Sequence, residues 1–221
     1  MKAQRPAPRL AEPAPLAIDR DELEKAVGRQ GTMRLERKLR EAARAFEADR
    51  LDEAQPRLRR LVAEAPSLAP ARELYGLALY RLGKWALALR ELEVFAALTS
   101  STEQHPVMAD CSRALRRWDD VERLWTELRA ASPSAELVTE GRIVMAGALA
   151  DQGDLAGAID LLSRAFDPPQ RPKDFHLRRM YALADLYERA GELPKARELF
   201  RRIAAADPDF FDVTDRVRSL G

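Results

Sequence analysis

The residues of this chain with the widest chemical repertoire are two histidines, His105 and His176, and a single cysteine, Cys111. Metal binding needs three or four such ligands at short spacings. Neither histidine stands at ligand spacing with Cys111 or with the other, so no metal site is expected. Cys111 lies inside a helical pattern, where a small sulfur side chain packs and is not an activated thiol. Two acidic pairs, Asp119 with Asp120 and Asp207 with Asp209, have the residue types for general acid and base work. Both pairs fall at inter-helix turns, where capping accounts for them. No glycine-rich phosphate loop, nucleophile elbow or dinucleotide fingerprint occurs. The expectation is a protein with no catalytic residues, no metal and no cofactor, and therefore not an enzyme.

Composition gives a helical scaffold for such a chain. Of 221 residues, 33% are charged and 46% apolar, with only 6% aromatic, the balance of a protein built from Ala, Leu, Arg and Glu. The 37 basic residues nearly cancel the 36 acidic ones, so no global field favours nucleic acid or an anionic membrane. The 31 arginines against 6 lysines, with abundant alanine, suggest a GC-rich bacterial genome. A lone cysteine excludes an internal disulfide framework and points to a reducing compartment. No apolar run approaches the roughly 20 residues of a membrane span. Pro6, Pro8, Pro13 and Pro15 interrupt what would be the core of a signal peptide. Residues 1–18 are expected to be a disordered Pro/Ala-rich tail, and the protein to be cytoplasmic.

The clearest unit is the stretch from Ala71 to Phe95. Leu74, Leu77, Ala78 and Leu82 mark one helical face, Gly83 breaks the run, and Leu87, Ala88, Leu92 and Phe95 mark a second. Neither helix alone can bury its stripe, so helices must pack in pairs and pairs on neighbours. Ahead of this unit the pattern predicts a short helix from Asp19 to Gln30 ended by Gly28 and Gly31. It then predicts a helix from about Met33 to Ala48 and a second from Glu53 to Glu64, capped by Asp52.

Turns recur at Asp49, Gly83, Arg116, Gly153 and Gly191, with Ala54, Ala88, Val121, Ala158 and Ala196 five positions later. Their spacings are 34, 33, 37 and 38. A period near 34 with paired helices marks a helical repeat array. A frame starting at Leu35, Ala69, Thr102, Thr139 and Leu177 places a small residue at its eighth position: Ala42, Gly76, Ala109, Ala146 and Ala184. A bulky residue stands at the twenty-fourth: Leu58, Leu92, Trp125, Leu162 and Phe200. Prolines near the unit ends are Pro66, Pro133 and Pro208. At these positions the chain resembles the tetratricopeptide repeat (TPR) family. The resemblance implies an all-α, right-handed superhelical solenoid of about five helix pairs, near 35–68, 69–101, 102–138, 139–176 and 177–208. Residues 209–220 then form a C-terminal capping helix, and 19–221 a single domain. The family's Trp at the fourth position is absent throughout. HPVMADCSRAL also resembles a segment of uncharacterised bacterial repeat proteins.

The resemblance further implies a protein-interaction scaffold whose first helices line a concave groove. The frame places Phe46, Glu47, Glu73, Leu77, Tyr80, Arg81, Asp110, Arg113, Ile143, Asp151, Tyr181, Asp185 and Glu188 in that groove. Over all groove positions nine residues are acidic and four basic, for a net charge of about −5. The expected ligand is a partner peptide or helix that is apolar with Lys or Arg, and not nucleic acid or membrane. The alternatives are a regulatory subunit of an enzyme or regulator complex, and binding of an acidic partner or nucleic acid by the second helices. Arg57, Arg59, Arg60, Arg197, Arg201 and Arg202 supply the basic runs there.

Overall fold

The computed structural model describes residues 20–220, and every regular element among them is an α-helix. The expected tail at 1–18 lies outside the described residues. The helices are α1 (Arg20–Glu47), α2 (Leu51–Glu64), α3 (Ala69–Arg81), α4 (Trp85–Thr99), α5 (His105–Ala114), α6 (Trp118–Ala131), α7 (Ala135–Asp151), α8 (Leu155–Ser163), α9 (Asp174–Arg189), α10 (Leu193–Ala206) and α11 (Val213–Ser219). They divide into two compact units, one ending at Leu124 and the other beginning at Trp125. In the first, α1 packs on α2, α2 on α3, α3 on α4 and α4 on α5. In the second, α7 packs on α8, α8 on α9, α9 on α10 and α10 on α11. First helices also lie side by side, α1 with α3, α3 with α5 and α7 with α9.

Five helix ends share one construction. Asp49, Gly83, Arg116, Gly153 and Gly191 all have positive φ, between 54° and 92°. At Gly83 its own N–H donates to the Tyr80 carbonyl at 2.9 Å, and the next N–H, of Lys84, reaches back to Leu79 at 2.9 Å. Arg116 and Arg117 repeat this on Arg113 and Ser112, at 3.0 and 2.8 Å. This double closure satisfies the carbonyls that a helix end leaves open and reverses the chain toward its partner helix. Asp49 and Arg116 do it without glycine, against a steric cost of roughly 1 to 2 kcal/mol.

Packing inside a pair is set by small residues facing large ones. Ala42, Ala146 and Ala184 are fully buried, as are Leu58, Leu92, Leu162 and Phe200. Gly76 shows how tight the approach is, because a Cβ there would stand 2.6 Å from the Leu92 side chain. In the second unit one cluster gathers Met180, Tyr181, Phe200, Ile203, Phe210 and Val213. Phe210, just before α11, and Val213, its first residue, thereby cover the end of the α9–α10 pair.

Several expectations need correction. α1 is broken at Gly28 alone (φ 71°, ψ 165°), and Gly31 lies inside the helix that follows. The fully buried Thr32 hydroxyl donates to the Gly28 carbonyl at 3.1 Å, filling the gap left by the break. α2 starts at Leu51 after Arg50, so Asp52 sits in its first turn and does not cap it. Asp119 and Asp120 likewise lie in the first turn of α6 and not in the preceding turn. Leu87 is 42% exposed, and the buried stripe of α4 runs through Ala88, Leu89, Leu92 and Phe95. The spacings of 37 and 38 exceed 34 by three and four residues; the three, before Thr139, lengthen α7 by a turn, with Ser134 Oγ accepting from the Leu137 N–H at 3.1 Å as its cap. The four added before Leu177 fall in the loop between α8 and α9.

A Cβ at Gly153 would meet nothing within 4 Å, so backbone strain is its whole penalty. Gly153→Val is expected to cost about 1 to 2 kcal/mol in urea unfolding, whereas Arg116→Gly should be neutral or stabilising by up to about 1 kcal/mol. Equal losses at both positions would contradict this account of the turns.

Candidate functional site

The residues with chemical potential sit in quiet surroundings. Cys111 is fully buried in α5, and burial first, then the neighbouring Asp110 charge, push its thiol up to about 12. His176 Nδ1 accepts from the Lys173 N–H at 3.0 Å, and burial and the Lys173 charge hold its pKa below the ordinary value. Among the described residues no cluster of three His, Cys, Asp or Glu could hold a metal ion, and no helix is long and apolar enough to cross a membrane.

In the first unit, α1, α3 and α5 present the frame's groove positions. Phe46 is buried under the Arg81 guanidinium, whose carbon lies 3.9 Å from the ring centre. Arg81 also pairs with Asp49 at 3.7 Å. Tyr80 is largely buried against the edge of Trp85, and its hydroxyl donates to Asp110 at 2.8 Å. Arg113 holds the other Asp110 oxygen at 2.8 Å. Two expected contact residues are removed from any partner: Leu77 and Glu73 are both fully buried. Leu77 belongs to a helix buried on almost every side, and Glu73 accepts from Gln104 Nε2 at 2.9 Å. Glu47 is exposed and, among the described residues, without an ion pair. It ends a row with the half-buried Leu39 and Ala43, each four residues apart.

In the second unit α7, α9 and α11 do the same work. Arg178 grips Glu140 with two hydrogen bonds, at 2.6 and 3.1 Å. Arg216 of α11 pairs with both Asp185, at 2.8 Å, and Glu188, at 2.9 Å, while lying over Phe200. Burial works against the Arg216 charge, but the Asp185 hydrogen bond and the surrounding negative groups outweigh it and raise its pKa. Tyr181 donates to Asp212 and meets the edge of Phe211, and burial with that hydrogen bond raises its pKa. Ile143 is half-buried against the core of α7 and α8, and Asp151 is exposed at the end of α7.

Part of the acidity counted along the sequence is therefore answered inside the molecule. Arg113, Arg178 and Arg216 answer Asp110, Glu140, Asp185 and Glu188. Sequence reasoning missed Arg216 and Gln104, which belong to the cap and to a turn. Continuing the 34-residue frame beyond Pro208 would have drawn Asp212 and its helix into the face.

Sequence profiles of the tetratricopeptide repeat family match residues 37–101 and 149–220, together more than half of the chain. The chain belongs to the tetratricopeptide repeat family. No curated protein matches it. Among solved structures, a thermophilic TPR protein of Thermus thermophilus is 20% identical, over 84% of this chain and 98% of its own, with a TM-score of 0.63. A tetratricopeptide repeat protein of Parabacteroides merdae is 15% identical over 90% and 78%, with a TM-score of 0.64. Pseudomonas aeruginosa pilF is 15% identical over 91% and 90%, at 0.59. At these identities the likeness concerns the fold, the all-helical one of TPR solenoid proteins. Proteins of this family generally mediate protein–protein interactions on a fold that is typically a non-catalytic scaffold.

The buried thiol gives a sharp check on α5. Labelling by a disulfide reagent at pH 8 should be negligible in the native protein and complete in denaturant. An unfolded thiol ionises near 9 and the folded one near 12, so the unfolded state holds fewer protons in between. Wild-type stability should therefore fall relative to Cys111→Ala as pH rises through that window, by at most about 1.4 kcal/mol per pH unit.

Proposed function

We propose that this protein is an interaction scaffold that holds a partner peptide or helix, apolar with Lys or Arg, against the face of α1, α3 and α5. The observation that carries the reading is the division of labour among carboxylates on that face. Asp110 is occupied by Tyr80 and Arg113. Glu47, the last residue of α1, and Glu103, in the turn that leads into α5, are exposed and form no ion pair among the described residues. Glu47 continues the row of Leu39 and Ala43, so an apolar segment lying along α1 would meet a carboxylate at its end. Arg81 and Arg113 are tied to Asp49 and Asp110 and leave that carboxylate as an open charge. Complementary charge of this kind governs association rate and register more than final affinity.

Asp110 is a poor target for charge reversal, since a lysine there would also face Arg113 and strand Tyr80. Glu47→Lys with Glu103→Lys leaves the internal pairs intact. Stopped-flow anisotropy with a labelled amphipathic Leu/Lys helical peptide should show association slowed about three- to tenfold at low salt, with the difference shrinking in high salt and the melting temperature unchanged. Unchanged binding in that variant, with loss on charge reversal at Arg59, Arg60, Arg201 and Arg202, would move the binding surface to the second helices.

A further inference from the structure

A second charged feature lies in the unit beginning at Trp125, on residues outside the groove positions. Trp125 is almost fully buried, yet two guanidiniums stand over its ring: Arg129 at 5.5 Å and Arg142 at 5.9 Å from its centre. Arg179 continues the row inward. It is only 9% exposed, donates through Nε to the Leu162 carbonyl at 2.8 Å and through Nη2 to that of Arg164 at 2.9 Å, and lies 4.1 Å from the centre of Phe166. Those carbonyls, at the C-terminal end of α8, satisfy hydrogen bonds and offer the partial negative charge of a helix end but no full counter-charge. Among the described residues none of the three arginines has an ion pair with a carboxylate.

The surroundings show that the charges act on each other. Burial and then the Arg129 charge lower the pKa of Arg142, and burial and then the Arg142 charge lower that of Arg179 to about 10. Among the described residues no carboxylate contributes at either arginine. The nearby Glu136 acts on His176, and Lys173 adds one more positive charge beside it. Cations at low dielectric with like-charged neighbours normally recruit a counter-ion.

Equivalent places in the chain show what is missing. Arg142 occupies the fourth position of the 34-residue frame, as do Lys38 and Arg72. Lys38 pairs with Glu64, and Arg72 with the buried Glu91. In the frame of Arg142 the residues standing where Glu91 and Glu64 stand are Leu161 and Pro168. The internal acid of the earlier pairs has no counterpart, while the arginine remains.

We infer that Arg129, Arg142 and Arg179 form a receiving row for the carboxylates of an acidic peptide segment of a partner protein. The row runs from the exposed Arg129 through the half-buried Arg142 to the buried Arg179, so it suits a chain bearing several carboxylates in sequence. The neighbouring rings of Trp125 and Phe166 restrain the guanidiniums, which reduces the side-chain entropy lost when bidentate carboxylate bonds form.

The test uses the full chain and a fluorescein-labelled peptide of about six glutamates, followed by anisotropy. The wild type should bind it in a salt-dependent way, and Arg129→Gln with Arg142→Gln should weaken it at least about tenfold. Arg59→Gln with Arg60→Gln, on α2, should leave it unchanged. Leu161→Glu gives Arg142 an internal acid, as Glu91 serves Arg72, and should also abolish binding; its folding is checked by circular dichroism. Equal binding by the wild type and the Arg129/Arg142 variant, or equal loss in the α2 variant, would overturn the inference. So would competition by inorganic phosphate at the peptide's own concentration range, or equal binding of a single-stranded oligonucleotide, since either would mean a general anion surface. The Glu47 and Glu103 substitutions should leave hexaglutamate binding intact, so this site and the α1, α3 and α5 face succeed or fail separately.

Discussion

A Cβ at position 76 would stand 2.6 Å from the Leu92 side chain, so no residue larger than glycine fits there unless Leu92 gives way. That contact states the constraint on which the helix pairs rest: two helices must approach until one backbone touches the other's side chains. Ala42, Ala146 and Ala184 meet the same demand with a methyl group. Once the approach is fixed, the residue opposite has to be large, and the turn between them has to reverse the chain within a few residues. The small position, the bulky position and the left-handed turn are thus one requirement met three times over. Their joint recurrence identified the fold where any single match would have been weak.

Much of this was legible because backbone geometry is local. A turn that needs positive φ shows itself by glycine, and its spacing exposed Asp49 and Arg116 as turns even without one. Burial along helices was legible where period and neighbours agreed. It failed at Leu87, which the heptad-like spacing put inside and the pair geometry puts outside. The first helices were harder. α3 is flanked by other helices on nearly every side, so Glu73 and Leu77 vanish into the interior although the family's frame assigned their positions to a groove.

Charge was the least legible property, since a count along the chain cannot say which acids meet which bases. Asp185 and Glu188 read as two open carboxylates until Arg216 arrives from α11 to hold both. Arg178 and Glu140 cancel across neighbouring helices in the same manner. The same blindness worked in reverse at Arg142, which looks like any surface arginine in sequence. Its character depends on Leu161 being apolar where Arg72 has Glu91, a comparison that only a shared frame makes possible. Nearly equal totals of acid and base thus conceal acids already held by arginines of the same unit and a patch of arginines that no acid among the described residues answers.

The break at Gly28 decides a dimension of the molecule. Arg20 and Glu36 form an ion pair at 2.7 Å, although a straight helix would set their backbones roughly 24 Å apart. The chain must therefore double back at this one residue, and Thr32 secures the reversal by taking the carbonyl it frees. Unbent, α1 would be a rod of about 42 Å. One pair of dihedral angles, available to glycine and strained for every other residue, makes the difference between a protruding rod and a short hairpin.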